Sequence, residues 1–193
     1  MTVPVERVEG VNVSVVYFSA TGTVHTLAEA VAEGAQKAGA RVRLCRVTEE
    51  EGGASAGDVE WGDAVVFGTP ARFGNPAAPL RAFIESLGPL GFRGALADKV
   101  YSAFTASNSA HGGQESTLLA LANTFYHWGG IIVPPGYTDP IQLKSGNPYG
   151  ASHVSGEGAP GEVSLEAARY LGRRAVSVAS AFKAGRAVLG GAG

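Results

Sequence analysis

The sequence predicts an α/β domain built on a doubly wound parallel sheet of five strands, with helices on both faces. Three observations predict it. Short apolar runs alternate five times with stretches of helical period. Polar, glycine-rich loops follow the first, third and fourth runs. Right-handed crossovers with five strands favour the order 2-1-3-4-5, which gathers those three loops at one crevice beyond the carboxyl ends of the strands.

The first run is Val13-Ser14-Val15-Val16-Tyr17-Phe18, near-continuously apolar, as in a strand covered on both sides. It enters the turn Ser19-Ala20-Thr21-Gly22-Thr23. Val24, Leu27, Ala28, Val31, Ala32 and Ala35 then fall on one face of a helix. A strand, a polar turn and a helix N-terminus aim unpaired N–H groups and a positive dipole end at the turn, which suits a phosphate. The turn is neither G-x-G-x-x-G nor a Gly-Lys-Ser/Thr loop. With one glycine and no lysine, it offers hydroxyls in place of a counter-cation. An ordinary polar turn capping the helix reads the same residues without a ligand.

The second strand is Val42 to Val47, followed by an acidic, glycine-rich connector, Thr48 to Gly62, whose Glu49, Glu50 and Glu51 form a solvated face. Asp63 to Gly68 is the third strand, ending in the Gly/Pro-rich loop Thr69 to Pro76. The third helix starts near Pro76 and turns Leu80, Phe83, Ile84 and Leu87 inward. After a loop, Gly88 to Asp98, Lys99 to Ala106 is the fourth strand, and a polar loop leads to a helix from about Gln114. Gly130 to Pro134 is the fifth strand. A last helix runs from about Ser164, as its cap, to Phe182, and the tail Ala184 to Gly193 is expected to fray. Residues 135–163 do not fit a bare five-strand fold. Four prolines and two tyrosines in turn-like settings mark them as an ordered excursion.

Composition narrows the function. The chain has 193 residues, 45% hydrophobic and 17% charged, as in one soluble domain with a substantial core. A net charge of −2 gives no footprint for nucleic acid, and it lacks the acidic bias of an electron carrier that docks on basic partners. Cys45 is the only cysteine, so no internal disulfide or thiolate cluster is possible, and its apolar strand setting reads as a buried inert thiol. Met1 to Gly10 has no apolar signal region, and no run approaches a membrane span, so a cytoplasmic protein without a membrane or nucleic-acid partner is expected. No cluster has metal-ligand spacing.

The motifs Ser19 to Val24, Gly68-Thr69-Pro70-Ala71-Arg72-Phe73-Gly74-Asn75, Gly112-Gly113-Gln114-Glu115, Ile132 to Tyr137 and Pro148-Tyr149-Gly150 together resemble the WrbA-type NAD(P)H:quinone oxidoreductases, flavodoxin-like FMN enzymes. The resemblance spans roughly residues 12 to 183. It implies that Ser19, Ala20, Thr21, Gly22, Thr23 and Val24 hold the FMN phosphate. Thr69, Pro70, Ala71, Arg72, Phe73 and Gly74 would follow the isoalloxazine edge, and Ser107, Asn108, His111, Gly112 and Gly113 would close the other side. It also implies a homo-oligomer, dimer or tetramer, with the excursion near the active site or the subunit interface.

The implied chemistry is hydride transfer from NADH or NADPH, then two-electron reduction of a quinone in ping-pong order. Developing negative charge on the quinone needs donors. His127 is the first candidate, or else a histidine packed at a helix end beside Trp128; Tyr149 and Arg72 follow, with a structural salt bridge as the other reading of Arg72. Trp128 walls the pocket or packs in the core, Tyr137 packs in its loop, and His25 and His153 read as surface residues. The chain departs from the family pattern in the strand-4 loop, at Trp128, and near Leu90 to Phe92 where an indole is missing. The substrate therefore stays open between a quinone and a quinone-like metabolite of one pathway. An electron-transfer flavodoxin and a non-catalytic FMN-binding protein are the alternatives from other classes.

Overall fold

The computed structural model describes residues 10–48 and 52–190. Seven strands and seven helices follow one another as β1 (Asn12–Tyr17), α1 (Thr23–Lys37), β2 (Arg41–Arg46), α2 (Ala56–Trp61), β3 (Ala64–Arg72), β4 (Asn75–Pro76), α3 (Ala78–Ser86), α4 (Gly88–Phe92), β5 (Val100–Ser107), α5 (Gln114–His127), β6 (Ile131–Ile132), α6 (Pro140–Ser145), β7 (Ala151–Val154) and α7 (Glu162–Gly190). The parallel path through the sheet is β2-β1-β3-β5-β6. This is the expected 2-1-3-4-5 order, with β5 and β6 as the fourth and fifth strands.

Alternation along β1 sorts the core into two layers. Val13, Val15 and Tyr17 join Leu27 and Val31 of α1 and Leu171 and Ala175 of α7. Val16 points the other way, with Val65 and Phe67 of β3, Leu80 of α3, and Leu118 and Phe125 of α5. Ser14 shares that second layer; although buried, it is satisfied by donating to the Asp58 carbonyl of α2 at 2.6 Å. The α1 and α7 helices meet backbone to backbone, because a Cβ on Gly172 would stand 2.1 Å from the Val31 carbonyl oxygen.

Several boundaries differ from the sequence expectation. The connector after β2 contains α2, whose capping box closes Ser55 onto Asp58. Glu49 to Glu51 lie outside the described residues, as do residues 1–9 and 191–193. The loop 88–98 holds the short α4, and α3 begins at Ala78 because Pro76 is taken up in β4. The last helix starts at Glu162, not at a Ser164 cap, and continues as helix to Gly190.

The largest difference concerns the excursion. β6 pairs only with Val100 and Tyr101 of β5. The chain then leaves the sheet through α6 and returns as β7, whose Ala151 to Val154 pair with Phe104 to Ser107. Strand five is thus interrupted, and its second half, read as loop in the sequence, carries the following residues to the carboxyl end of the sheet.

Candidate functional site

The turn after β1 is folded by its own first hydroxyl. Ser19 Oγ accepts the N–H groups of Gly22 at 3.2 Å and His25 at 3.3 Å. Arg46, at the end of β2, donates to the Ser19 carbonyl at 3.1 Å. Gly22 is the N-cap of α1 and supplies no side-chain cap, so the N–H groups of Thr23 and Val24 in the first turn have no intrahelical acceptor. Among the described residues the hydroxyls of Thr21 and Thr23 also lack partners. Behind the turn, His25 lies at the surface, its side chain 45% exposed, and is nonetheless held by two partners. Its Nδ1 lies 2.6 Å from the Tyr17 hydroxyl, and its Nε2 lies 3.5 Å from Glu29. Burial raises the pKa of Tyr17, with the nearby Arg46 acting in the opposite sense.

A second wall comes from the hairpin of β3 and β4. Thr69 is buried and braces it. Its Oγ1 accepts the Ala77 N–H at 2.9 Å and donates to the Pro70 carbonyl at 3.1 Å, while Thr105 donates to the Thr69 carbonyl at 2.7 Å. Ala71 pairs with Pro76 and Arg72 with Asn75. The two residues between them, Phe73 at φ 52° and Gly74 at φ 76°, both take the left-handed region, as a two-residue hairpin turn requires. Phe73 projects fully into solvent at the tip.

The third wall is the loop after β5. Ser107 is buried; its hydroxyl donates to the Ser109 carbonyl at 2.7 Å and accepts from Gln114 Nε2 at 2.8 Å. Gly113 packs on Gly74 so closely that a Cβ on Gly113 would stand 2.6 Å from the Gly74 Cα. The two glycines bring the second and third walls together.

A fourth wall, missed in the sequence, follows β7. Ser155 donates to the Ser107 carbonyl at 3.0 Å, and the Gly156 N–H to the Asn108 carbonyl at 3.1 Å. His153, partly exposed, holds the segment from behind. Its Nε2 faces the Gly158 carbonyl at 2.9 Å, and its Nδ1 the Ser164 hydroxyl at 3.1 Å. A carbonyl only accepts, so Nε2 carries the proton and Nδ1 takes one from Ser164. The turn-rich run Gly156 to Gly161 was the available signal, but nothing local says that strand five resumes before it.

These walls enclose one cavity of about 640 Å³. Ser19 to Val24, Pro70, Ala71, Arg72 and Asn108 line it, together with Thr26, Ala106, Ser155, Gly158, Ala159 and Pro160. Thr69, Ser107, Gly112 and Gly113 lie outside the lining, in the elements that shape it; His111 is exposed, and Phe73 and Gly74 form the hairpin tip. Of the three catalytic candidates only Arg72 reaches the cavity, and among the described residues it has no salt-bridge partner. His127 ends α5, which starts at the cavity and runs back along the sheet for about 20 Å, so the histidine is exposed at the opposite end. Tyr149 is exposed beside the start of β7, one strand length below the cavity. Trp128 is partly buried and packs against the core, its ring 5.4 Å from Tyr101 and 6.0 Å from Phe67. Tyr137 is exposed, with its hydroxyl 3.3 Å from the Gly146 carbonyl.

FMN suits this cavity. Its volume falls in the range of small-molecule sites, roughly 300–1,000 Å³. Unsatisfied hydroxyls and helix N–H groups stand at one end for a phosphate, and the hairpin and the loops after β5 and β7 face each other at the rest. Among the described residues no three His, Cys, Asp or Glu side chains gather as a metal-binding group. No helix among them is long and apolar enough to cross a membrane.

Comparison with known proteins agrees. Residues 13–139 match the family described as NADPH-dependent FMN reductase. The chain is 41% identical over 182 residues to the NAD(P)H dehydrogenase (quinone) of Deinococcus radiodurans, covering 83% of this chain and 88% of that one. It is 38% identical to the protein of the same name from Aromatoleum aromaticum, covering 91% and 99%. A WrbA-like flavodoxin from Agrobacterium tumefaciens superposes with a TM-score of 0.71 at 30% identity, covering 88% and 98%. An archaeal flavodoxin, 15% identical with a TM-score of 0.67, shares the fold. With a hydroxyl-lined phosphate turn, a switch-point cavity and these relatives, the chain belongs to the NADPH-dependent FMN reductase family, among its WrbA-type, flavodoxin-like members.

Proposed function

We propose that this protein is an FMN-dependent NAD(P)H:quinone oxidoreductase that works by two-electron, ping-pong transfer. The observation that carries the reading is the single cavity in which a phosphate turn and three strand-end segments converge. Its relatives' names supply the donor and acceptor class. When bound, FMN would supply the redox chemistry, two-electron exchange with a nicotinamide donor and a quinone acceptor.

The chain's own residues bind, orient and shield. Thr21, Thr23 and the first N–H groups of α1 hold the phosphate, and the helix dipole offsets its charge. Pro70 and Ala71 on one side and Asn108 with the segment after β7 on the other fix the plane of the ring. Arg72 donates to negative charge at the cavity mouth. His127 lies far from the cavity of its own chain, so its proposed donor role depends on a second copy. We infer that residues 1–193 act as one domain, in a cytoplasmic homo-oligomer, dimer or tetramer. The fully exposed Phe92 and the exposed Tyr126, near His127 at that end of the sheet, favour an association there.

The test is spectroscopic. Purified protein is expected to carry, or take up, FMN and to bleach when NADH or NADPH is added without oxygen. Steady-state rates with benzoquinone should give parallel double-reciprocal lines. No flavin uptake would remove the cofactor assignment, and flavin uptake without nicotinamide oxidation would turn the reading to an electron-transfer or non-catalytic flavoprotein.

A further inference from the structure

Among the described residues most of the cations are spoken for. Lys37, Arg43, Arg93, Arg169, Arg173, Lys183 and Arg186 hold carboxylates. Arg41, Arg46, Lys99 and Arg174 donate to amide or carbonyl oxygens. Among the described residues, that leaves Arg72, Arg81 and Lys144 without a partner. Lys144 stands apart, in the excursion. Arg72 and Arg81 line one groove of about 560 Å³, and none of the residues lining it is acidic. Phe73, fully exposed and held at a positive φ, forms its apolar edge. Glu85 is one helical turn beyond Arg81 and lines a different depression with it, without pairing to it. Arg72 also lines the cofactor cavity, so the groove begins where that cavity ends.

From this we propose that the Arg72–Arg81 groove binds the phosphates of the nicotinamide dinucleotide while its nicotinamide occupies the mouth of the cofactor cavity. Two guanidinium forks left open in a groove without an acidic lining residue match a polyanionic ligand. The exposed Phe73 ring beside them offers a flat apolar face to a base or ribose. The shared position of Arg72 joins this anion site to the place where hydride would leave. The proposal rests on the nicotinamide-oxidising reading above and assigns its donor site.

The test is Arg81→Gln, with Arg81→Lys as the conservative variant, in FMN-loaded protein. NADP+ and NAD+ binding is measured by calorimetry, and KM and kcat are measured for NADPH, NADH and 1-benzyl-1,4-dihydronicotinamide, which carries no phosphate. Arg81→Gln should weaken dinucleotide binding and raise its KM about tenfold with kcat unchanged, as loss of one charge-assisted contact does. The KM for the phosphate-free donor should move far less, and Arg81→Lys should recover part of the loss. A greater loss for NADPH than for NADH assigns the groove to the 2′-phosphate, and an equal loss assigns it to the pyrophosphate; both support the proposal. Unchanged dinucleotide affinity, an equal loss with all three donors, or a drop in oligomer size that identifies the groove as a subunit contact would overturn it. Calorimetry separates the two claims. If the wild type binds NADP+ at this groove yet reduces no quinone, the enzymatic reading fails and the site stands.

Discussion

His153 donates from Nε2 to the Gly158 carbonyl across 2.9 Å, and this bond ties the end of β7 to the segment that closes the cofactor cavity. Ser164 of α7 completes the clasp at Nδ1. His153→Ala is expected to weaken FMN binding about fivefold, since one hydrogen bond at a cavity wall contributes about 1 kcal/mol and its loss loosens the Gly158 to Pro160 turn. His153→Gln, whose amide can donate and accept at similar reach, should restore most of the affinity. Fluorescence titration of apoprotein with FMN measures both.

Thr21 and Thr23 present hydroxyls to the cavity with no partner of their own. Replacing both by Ala should weaken FMN binding by roughly 1–3 kcal/mol, because hydrogen bonds to a charged acceptor are the strong ones. Riboflavin, which has no phosphate, should bind wild type and variant alike. Equal losses for the two flavins would move the phosphate away from this turn.

Gly172 sits where α7 crosses α1, and a Cβ there would stand 2.1 Å from the Val31 carbonyl oxygen. Gly172→Ala must push two helices apart and is expected to cost about 1–3 kcal/mol. For a chain of this size each kcal/mol lowers the melting temperature by roughly 2–4 °C. Gly161→Ala, with nothing within 4 Å of the new Cβ, is the control.

Glu33 of α1 accepts from Lys37 and, at 2.6 Å, from Arg169 of α7. Hydrogen bonds from Lys37 and then Arg169 hold its carboxyl down at about 2, below the ordinary 4.5. The folded pKa is depressed, so the contribution is present above the ordinary value and is lost as pH falls from about 4.5 towards 2. The melting temperature should fall across that window, and Glu33→Gln should flatten part of the slope.

Cys45 is buried, and burial pushes its thiol up to about 11. A maleimide at neutral pH should label the native protein far more slowly than the urea-unfolded chain. Fast labelling of the native state would mean that the edge strand β2 opens readily.

The first βα unit was legible because it is local. Val13 to Val16, the hydroxyl turn and the apolar stripe from Val24 to Ala35 are contiguous, and period and turn chemistry suffice to place them. The hairpin turn at Phe73 and Gly74 was less legible, because phenylalanine is rarely found at positive φ and its glycine partner across the contact, Gly113, is far along the chain. The anchoring roles of His25 and His153 were hidden for the same kind of reason. Their partners, Tyr17 with Glu29 and Gly158 with Ser164, are set by a helix turn and by a loop that folds back, which polarity alone does not reveal.

By itself the sequence determined the doubly wound order, the switch-point crevice and the polar turn at its mouth, since each follows from periodicity and from loops at the carboxyl ends of successive strands; the cofactor class came from the resemblance of its motifs to a known family. Tertiary structure decided the rest. It returned the excursion to the sheet as β7 and so supplied the fourth wall of the cavity, because a four-residue strand is specified by its partner β5 more than by its own residues. It moved His127 away from the site, because a helix that starts at the crevice must end at the other edge of the sheet. It packed Trp128 against the aromatic core, and it left Arg72 and Arg81 as neighbouring open charges, a fact of three-dimensional pairing that no spacing in the chain records.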